Sequence, residues 1–278
     1  MVETLLNPTS QARIPATTRI TLAETRVPLG EDRSYLPAVV SAQHLTVAPL
    51  VSQFSPSTTF PQLVGSPTPL FTKEAIKQFC SPLQSIALAE LDEVISAAYD
   101  PPPPGNDERH QGVDFAYYRR SGRASILGDG VQAVLGGTVA GVVYDRFPYG
   151  NMIIIETSLA ETFPELAKII GLEEGESLYL LYAHLEKPPS LQIGEAVVAC
   201  QLLGTAGKSG NAGSAHLHLE TRIGPVGARF PSMAYYVESA SLEERAAYRL
   251  WRTSGTYRHL DPMNLIAYLT AQPKKTKS

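Results

Sequence analysis

Short apolar segments separated by glycine and asparagine fill the chain between residues 131 and 221. In order they read "VQAVL", "GTVAGVVYD", "NMIIIET", "SLYLLYAHL", "AVVACQLLGTAG" and "AHLHLET". Runs of this length that are rich in Val, Ile and Leu and end at turn-forming residues predict β-strands. Taken together they predict a mainly β fold whose core is an antiparallel β-sheet or sandwich.

Helical patterns are fewer, and they flank or interrupt this series of strands. The segment "SLEERAAYRLW" begins with Ser241 and carries Glu244 at the position of a capping box. In "DPMNLIAYL", Asp261 is a candidate N-cap and Pro262 takes the first helical position. Weaker helical spacing occurs in "SIALAELDEVISAAY" and in the insertion "LAETFPELAKIIGLEEGE". We therefore predict a few peripheral helices, including a C-terminal pair over residues 241–270.

Residues 1–70 differ in composition from the rest of the chain. Pro, Ser and Thr are frequent there, as in "LVSQFSPSTTFPQLVGSPTPLF", and no sustained periodicity is present. Proline removes backbone donors and breaks helices and central strands. We predict an N-terminal tail or linker over residues 1–70 and one domain over residues 71–278, with its core at residues 110–220.

Charge and hydropathy exclude some functions. A net charge of −4 and a pI near 5.9 argue against a nucleic-acid-binding surface. The sequence contains no apolar run long enough for a membrane-spanning helix. The N-terminus also lacks a basic segment followed by an apolar one, so either the chain is not exported by that route or its signal has been removed.

The two cysteines, Cys80 and Cys200, are too few for a disulfide framework or a cysteine-based zinc site. In an oxidising compartment they can form one bridge. Two buried free thiols are the alternative, and the sequence does not decide between them.

The segment "AHLHLE" contains two of the six histidines, His216 and His218. Side chains two apart on a β-strand point to the same face, so these imidazoles would lie side by side, with Leu217 and Leu219 on the opposite face. Paired imidazoles suggest a metal site or a proton-handling site. An H-x-H motif alone is equally consistent with a strand edge that carries two ordinary histidines.

Three more candidate residues precede this pair. "HQGVD" contains His110 and Asp114, and "YAHL" ends an apolar segment with His184. Taken singly, His184 could be a core histidine bonded to a carbonyl, and Asp114 could be a turn former. Together with the H-x-H pair they favour a zinc site, because zinc binds imidazoles with a carboxylate and leaves a position for water. Imidazoles that are not ligands would suit acid–base catalysis.

The order of these motifs resembles the M23 peptidases, the LytM/lysostaphin-type zinc metallopeptidases. The resemblance runs from "HQGVD" through paired strands around a glycine turn and "YAHL" to "IGEAVVACQLLGTAGKSGNAGSAHLHLE", with a looser match at "DPMNL". It implies an open groove on a fold like the duplicated hybrid motif. Lipoyl- or biotinyl-carrier sandwiches share the strand pattern, but they need an exposed hairpin lysine that "LGGTVAG" lacks.

The resemblance implies a role for each site residue. It matches His110, Asp114 and His218 to the ligands of one zinc ion, and His184 and His216 to the catalytic histidines. Spacing alone suggests that both histidines of H-x-H bind the metal, whereas the family pattern assigns only the second.

The resemblance also implies a secreted endopeptidase that cleaves cross-links or stem peptides of bacterial peptidoglycan. A non-catalytic LytM-type module that binds cell-wall peptide or activates a partner amidase is the alternative. The chain departs from the family pattern at Ala215, where proline is usual, and in a longer segment over residues 157–181. That segment could wall the groove or obstruct it.

Overall fold

A computed structural model of the chain describes residues 78–117 and 125–271. The tail or linker predicted over residues 1–70 and the basic C-terminal segment "PKKTKS" lie outside the described residues. The strands are β1 (Ile95–Ala97), β2 (Val113–Phe115), β3 (Gly130–Gln132), β4 (Gly137–Arg146), β5 (Gly150–Ser158), β6 (Glu176–Leu185), β7 (Ala196–Val197), β8 (Leu202–Thr205), β9 (Leu217–Pro225) and β10 (Arg258–Leu260). The helices are α1 (Pro164–Ile170), α2 (Leu242–Arg252), α3 (Pro262–Ala271) and a 3-10 helix (Leu88–Val94).

One antiparallel sheet of eight strands organises the described residues. Its order is β1-β2-β9-β6-β5-β4-β7, with β10 also paired to β9, and β3 pairs β8 in a second, two-stranded sheet. The mainly β, antiparallel fold predicted from the sequence is therefore confirmed. Each of the six predicted segments contributes to a strand, and "AVVACQLLGTAG" supplies both β7 and β8.

The central strands β5, β6 and β9 carry apolar side chains on both faces of the large sheet. Each face therefore packs into its own hydrophobic core. One face, here the α3 face, packs Leu217 and Leu219 into a core with Leu265 and Leu166 from α3 and α1. The other, here the α2 face, forms a second core that includes Trp251. The segment over residues 157–181 thus places its helix on the α3 face, since Leu166 is buried there.

The helical predictions hold best where capping signals were present. The capping box of Ser241 and Glu244 forms at the start of α2, and the Asp261 carboxylate accepts a hydrogen bond from the Met263 backbone at the start of α3. The segment "SIALAELDEVISAAY" instead gives only a 3-10 helix followed by β1. Its Ile95 pairs with β2, so sheet pairing overrides the weak helical spacing. None of the helices in residues 78–117 and 125–271 has the length and apolarity needed to cross a bilayer.

A disulfide joins Cys80 to Cys200, across a sequence separation of 120 residues. It connects the segment that precedes the 3-10 helix to the turn before β8. A cross-link that closes so long a loop stabilises mainly by restricting the unfolded chain. Replacing both cysteines by serine should therefore lower the free energy of unfolding by about 2–5 kcal/mol. Denaturant titration of the two proteins measures this difference, and an unchanged midpoint would contradict it.

Candidate functional site

Strand pairing brings the carboxylate of "HQGVD" to the H-x-H motif. In the β2–β9 register, Asp114 lies directly opposite His218. Directly opposite residues share a face and hold their Cβ atoms about 5 Å apart. Because Leu217 and Leu219 pack on the α3 face, Asp114 and His218 project from the α2 face. The prediction that the two leucines and the histidines of "AHLHLE" face opposite ways is confirmed at these residues.

His110 reaches the same point from the segment before β2. Its backbone forms an isolated antiparallel bridge with Asp100. Its Nδ1 lies 2.8 Å from the carbonyl of Ala98, which can only accept, so Nδ1 carries the proton. The chain between β1 and β2 thus fixes this ring and leaves the Nε2 lone pair facing the sheet.

Three atoms that can each donate an electron pair to a metal ion converge there. His110 Nε2 lies 3.1 Å from both Asp114 Oδ1 and His218 Nδ1, and these last two atoms are 2.7 Å apart. A zinc ion lies about 2.0–2.1 Å from such ligands, and a triangle of this size leaves a point at that distance from all three atoms. The structure therefore brings together the three residues that the sequence predicted as ligands.

The hydrogen bonds behind these atoms show that the donor set suits a divalent cation. His218 Nε2 lies 3.1 Å from the Glu220 carboxylate, which can only accept, so with a cation in place of a proton at Nδ1 the ring donates through Nε2 and presents the Nδ1 lone pair. Nε2 of His110 and the Asp114 carboxylate are acceptors as well. Three acceptors that converge require a cation or extra protons between them, and this N,N,O set is typical of zinc and similar metals.

The pKa shifts of Asp114 and His218 also indicate that a positive charge is favoured between them. Burial would raise the pKa of Asp114, but its contacts with the adjacent imidazoles of His110 and His218 lower it well below its usual range. Burial would lower the pKa of His218, but hydrogen bonds to Asp114 and Glu220 raise it to about 9. In the protein without a cation, the arrangement thus draws a proton onto His218, at the position where a metal would sit.

His184 reaches the site through a bulge near the end of β6. Between Tyr182 and Leu185, three steps along β6 oppose two steps along β5. His184 adopts a positive φ of 61°, which is uncommon for a residue with a side chain and is found where a strand must redirect one. Its Nδ1 donates to the carbonyl of Ser209 at 2.8 Å. Burial and the nearby His218 and His216 lower the pKa of His184 to about 3, so its ring is neutral at physiological pH.

His216 completes the group from the end of the glycine-rich segment. Its backbone bridges Gly207, and its Nδ1 donates to the carbonyl of Ser214 at 2.9 Å. Its Nε2 lies 3.6 Å from Asp114 Oδ2, and its ring centre is 4.5 Å from that of His184. The two imidazoles therefore form a pair beside the three converging donors. The five predicted site residues are all together on one side of the sheet.

Further residues that were not predicted from the sequence hold these rings, and Ser209 and Glu220 are two of them. Ser209 holds His184 through its carbonyl, and Glu220 holds His218 through its carboxylate. Glu220 had a readable signal, since it follows His218 at the two-residue period of a strand and so shares its face. Ser209 had none, because the fold of the glycine-rich loop decides which carbonyl meets His184.

Comparisons with known proteins identify solved structures but no sequence family. Neither a protein family nor a curated protein sequence matches the chain. The solved structures that resemble it include M23 and lysostaphin-type peptidases. A mutant catalytic domain of the prophage-encoded M23 protein EnpA from Enterococcus faecalis shares 21% identity over 55% of this chain and 89% of its own, with a TM-score of 0.35.

Two more matches have similar values. The catalytic domain of the antimicrobial peptidase lysostaphin from Staphylococcus simulans shares 21% identity over 65% of this chain and 98% of its own, with a TM-score of 0.39. A zinc-containing peptidase from Vibrio cholerae shares 24% identity over 46% of this chain and 32% of its own, with a TM-score of 0.31. EnpA and lysostaphin belong to the group of peptidases that the sequence motifs resemble.

Proposed function

We propose that the chain is a zinc-dependent endopeptidase. The observation that carries this proposal is the convergence of His110 Nε2, Asp114 Oδ1 and His218 Nδ1 as three acceptors, with two further imidazoles beside them. In this proposal the three residues are the metal ligands, and His184 and His216 are the catalytic histidines. Ligation by one carboxylate and two neutral imidazoles gives a divalent site a net charge of about +1.

A zinc ion at this position supplies Lewis acidity, which acidifies water and polarises an amide carbonyl. The two remaining histidines supply proton transfer. Their Nδ1 atoms are occupied by the carbonyls of Ser209 and Ser214, so each Nε2 is the atom that accepts or returns a proton. In this proposal one of these rings takes a proton from the attacking water and the protonated ring returns it to the leaving amine.

The centre is accessible from one side. The side chain of His110 is 26% exposed and that of Asp114 is 17% exposed, whereas that of His218 is only 7% exposed. A peptide carbonyl can therefore approach from the His110 side, while the sheet and α2 shield the opposite side.

Peptidoglycan cross-links or stem peptides are the proposed substrates, on the resemblance of the sequence motifs. The Cys80–Cys200 disulfide supports an extracytoplasmic location, because disulfides persist in oxidising compartments. The acidic pI near 5.9 is a poor fit to electrostatic binding of an anionic wall, so we expect recognition to come from contacts with the substrate peptide itself.

Metal content together with a turnover assay tests this function. The purified chain should bind one equivalent of zinc and release peptides from purified peptidoglycan or cleave pentaglycine peptides, and chelation should abolish the turnover. Stoichiometric zinc without cleavage would favour the non-catalytic module. A chain that binds no zinc would refute the proposal.

A further inference from the structure

Glu220 occupies the centre of the α2 face, directly behind the candidate metal ligand His218. Its side chain is fully buried, as is that of Arg222. The two residues follow His218 at the two-residue period of β9, so all three lie on the same face. A buried carboxylate next to a ligand is costly unless surrounding donors compensate for its charge.

The donors around Glu220 divide between its two oxygens. Oε2 accepts two hydrogen bonds from the Arg222 guanidinium, at 2.9 and 2.7 Å, and one from Trp251 Nε1 at 2.8 Å. Oε1 accepts from the Tyr149 hydroxyl at 2.6 Å and from Arg252 at 3.2 Å. The remaining contact of Oε1 is His218 Nε2, at 3.1 Å. The carboxylate is thus held from several directions while one oxygen stays aimed at the imidazole.

The two arginines that contact Glu220 also donate hydrogen bonds to residues near His110. Arg222 donates to Gln111 Oε1 at 2.6 Å, inside the "HQGVD" motif. Arg252 donates to the Asp107 carboxylate at 2.7 Å. The network therefore joins β9, α2 and the segment that carries His110, so the ligands on either side of the centre share one buried scaffold.

We propose that Glu220 is a positioning residue of the candidate metal centre, which takes the Nε2 proton of His218 as a hydrogen bond and so directs the Nδ1 lone pair to the metal. The proposal rests on the proposed metal site and deepens it. Histidine ligands commonly donate their second nitrogen to a carboxylate, which fixes the tautomer and the ring orientation. Here α2 takes part, because Trp251 and Arg252 anchor the carboxylate.

Glu220→Gln tests the proposal, and Glu156→Gln is the matched control. Glu156 is also a buried carboxylate of the large sheet with an arginine partner, since Arg229 donates to it at 2.7 Å and Tyr179 at 3.1 Å. The hydrogen bonds of Glu156 go to β6 and to the segment after β9, and none goes to a candidate ligand. Zinc dissociation constants from chelator competition are compared at a temperature where circular dichroism shows each variant folded.

Glu220→Gln should weaken zinc binding by about 10- to 100-fold, the usual effect of removing an outer partner of a ligand. Glu156→Gln should bind zinc as the unaltered protein does. An unchanged zinc affinity in Glu220→Gln would overturn the positioning role while leaving the proposed function intact. If the unaltered protein binds no zinc, both proposals fail. If it binds zinc but cleaves nothing, only the proposed activity fails.

A second measurement needs no variant, so it remains decisive if Glu220→Gln does not fold. Nitrogen NMR of the zinc-loaded, unaltered protein should find the proton of His218 on Nε2 and the metal on Nδ1. His110, whose Nδ1 donates to the carbonyl of Ala98, should show the opposite arrangement. Metal on Nε2 of His218 would overturn the proposal, because no proton would then remain for Glu220 to accept.

Discussion

Replacing His218 by alanine should abolish stoichiometric zinc binding, whereas replacing His216 should leave zinc in place and remove most of the activity. The two residues are separated by one position, so the pair of variants isolates the role of each ring. His218 Nδ1 is one of the three converging donors, at 2.7 Å from Asp114 Oδ1. Its loss leaves one imidazole and one carboxylate, and zinc affinity should fall by more than the roughly 100-fold effect of losing an outer partner.

His216 lies outside the triangle of donors, because its Nε2 is 3.6 Å from the second oxygen of Asp114. Its removal leaves all three candidate ligands. Loss of a general acid–base group should reduce kcat by about 10²–10⁴-fold. Metal analysis of both purified variants, followed by kinetics with excess zinc, separates binding from turnover. Equal zinc loss in the two variants would defeat the assignment and favour the other interpretation of H-x-H, in which both histidines bind the metal.

The long strands and the site residues could be predicted from the sequence because each depends on a local pattern. Apolar runs between turn formers predicted β4, β5, β6 and β9, which form the centre of the sheet. Because side chains alternate along a strand, the sequence also predicted that His218 and Leu219 point to opposite faces of the sheet. The motif resemblance then supplied the partners of His218, which are far away in the chain and which no local pattern connects.

The edge of the sheet was not predicted, because it depends on long-range pairing. Strands β1, β2 and β10 have three residues each and too little sequence to show alternation. Yet β2 presents Asp114, and the residue after β1, Ala98, holds His110 through its carbonyl. The bulge that redirects His184 is likewise a product of pairing between β5 and β6. The sequence therefore predicts which side chains form the site better than it predicts the short strands and the bulge that orient them.

Gly112→Ala should disrupt the metal centre although it changes no polar group. The glycine of "HQGVD" lies against β9, and a Cβ built there would be 2.6 Å from the carbonyl oxygen of Leu219 and 2.7 Å from Cε1 of His218. Carbon atoms cannot approach so closely, so either β2 moves away from β9 or the His218 ring turns. Both movements separate the Asp114 and His218 donors, because β2 carries one and the ring carries the other.

We expect the Gly112→Ala variant to bind zinc at least about 100-fold more weakly, since the displaced ring is a ligand and not an outer partner. Overpacking should also lower the free energy of unfolding by about 1–3 kcal/mol. Gly213→Ala is the matched control, because a Cβ at Gly213 meets nothing within 4 Å. Chelator competition and denaturant unfolding of both variants measure the two effects. Zinc affinity in Gly112→Ala equal to that of Gly213→Ala would mean that the close contact between β2 and the His218 ring does not set the geometry of the centre.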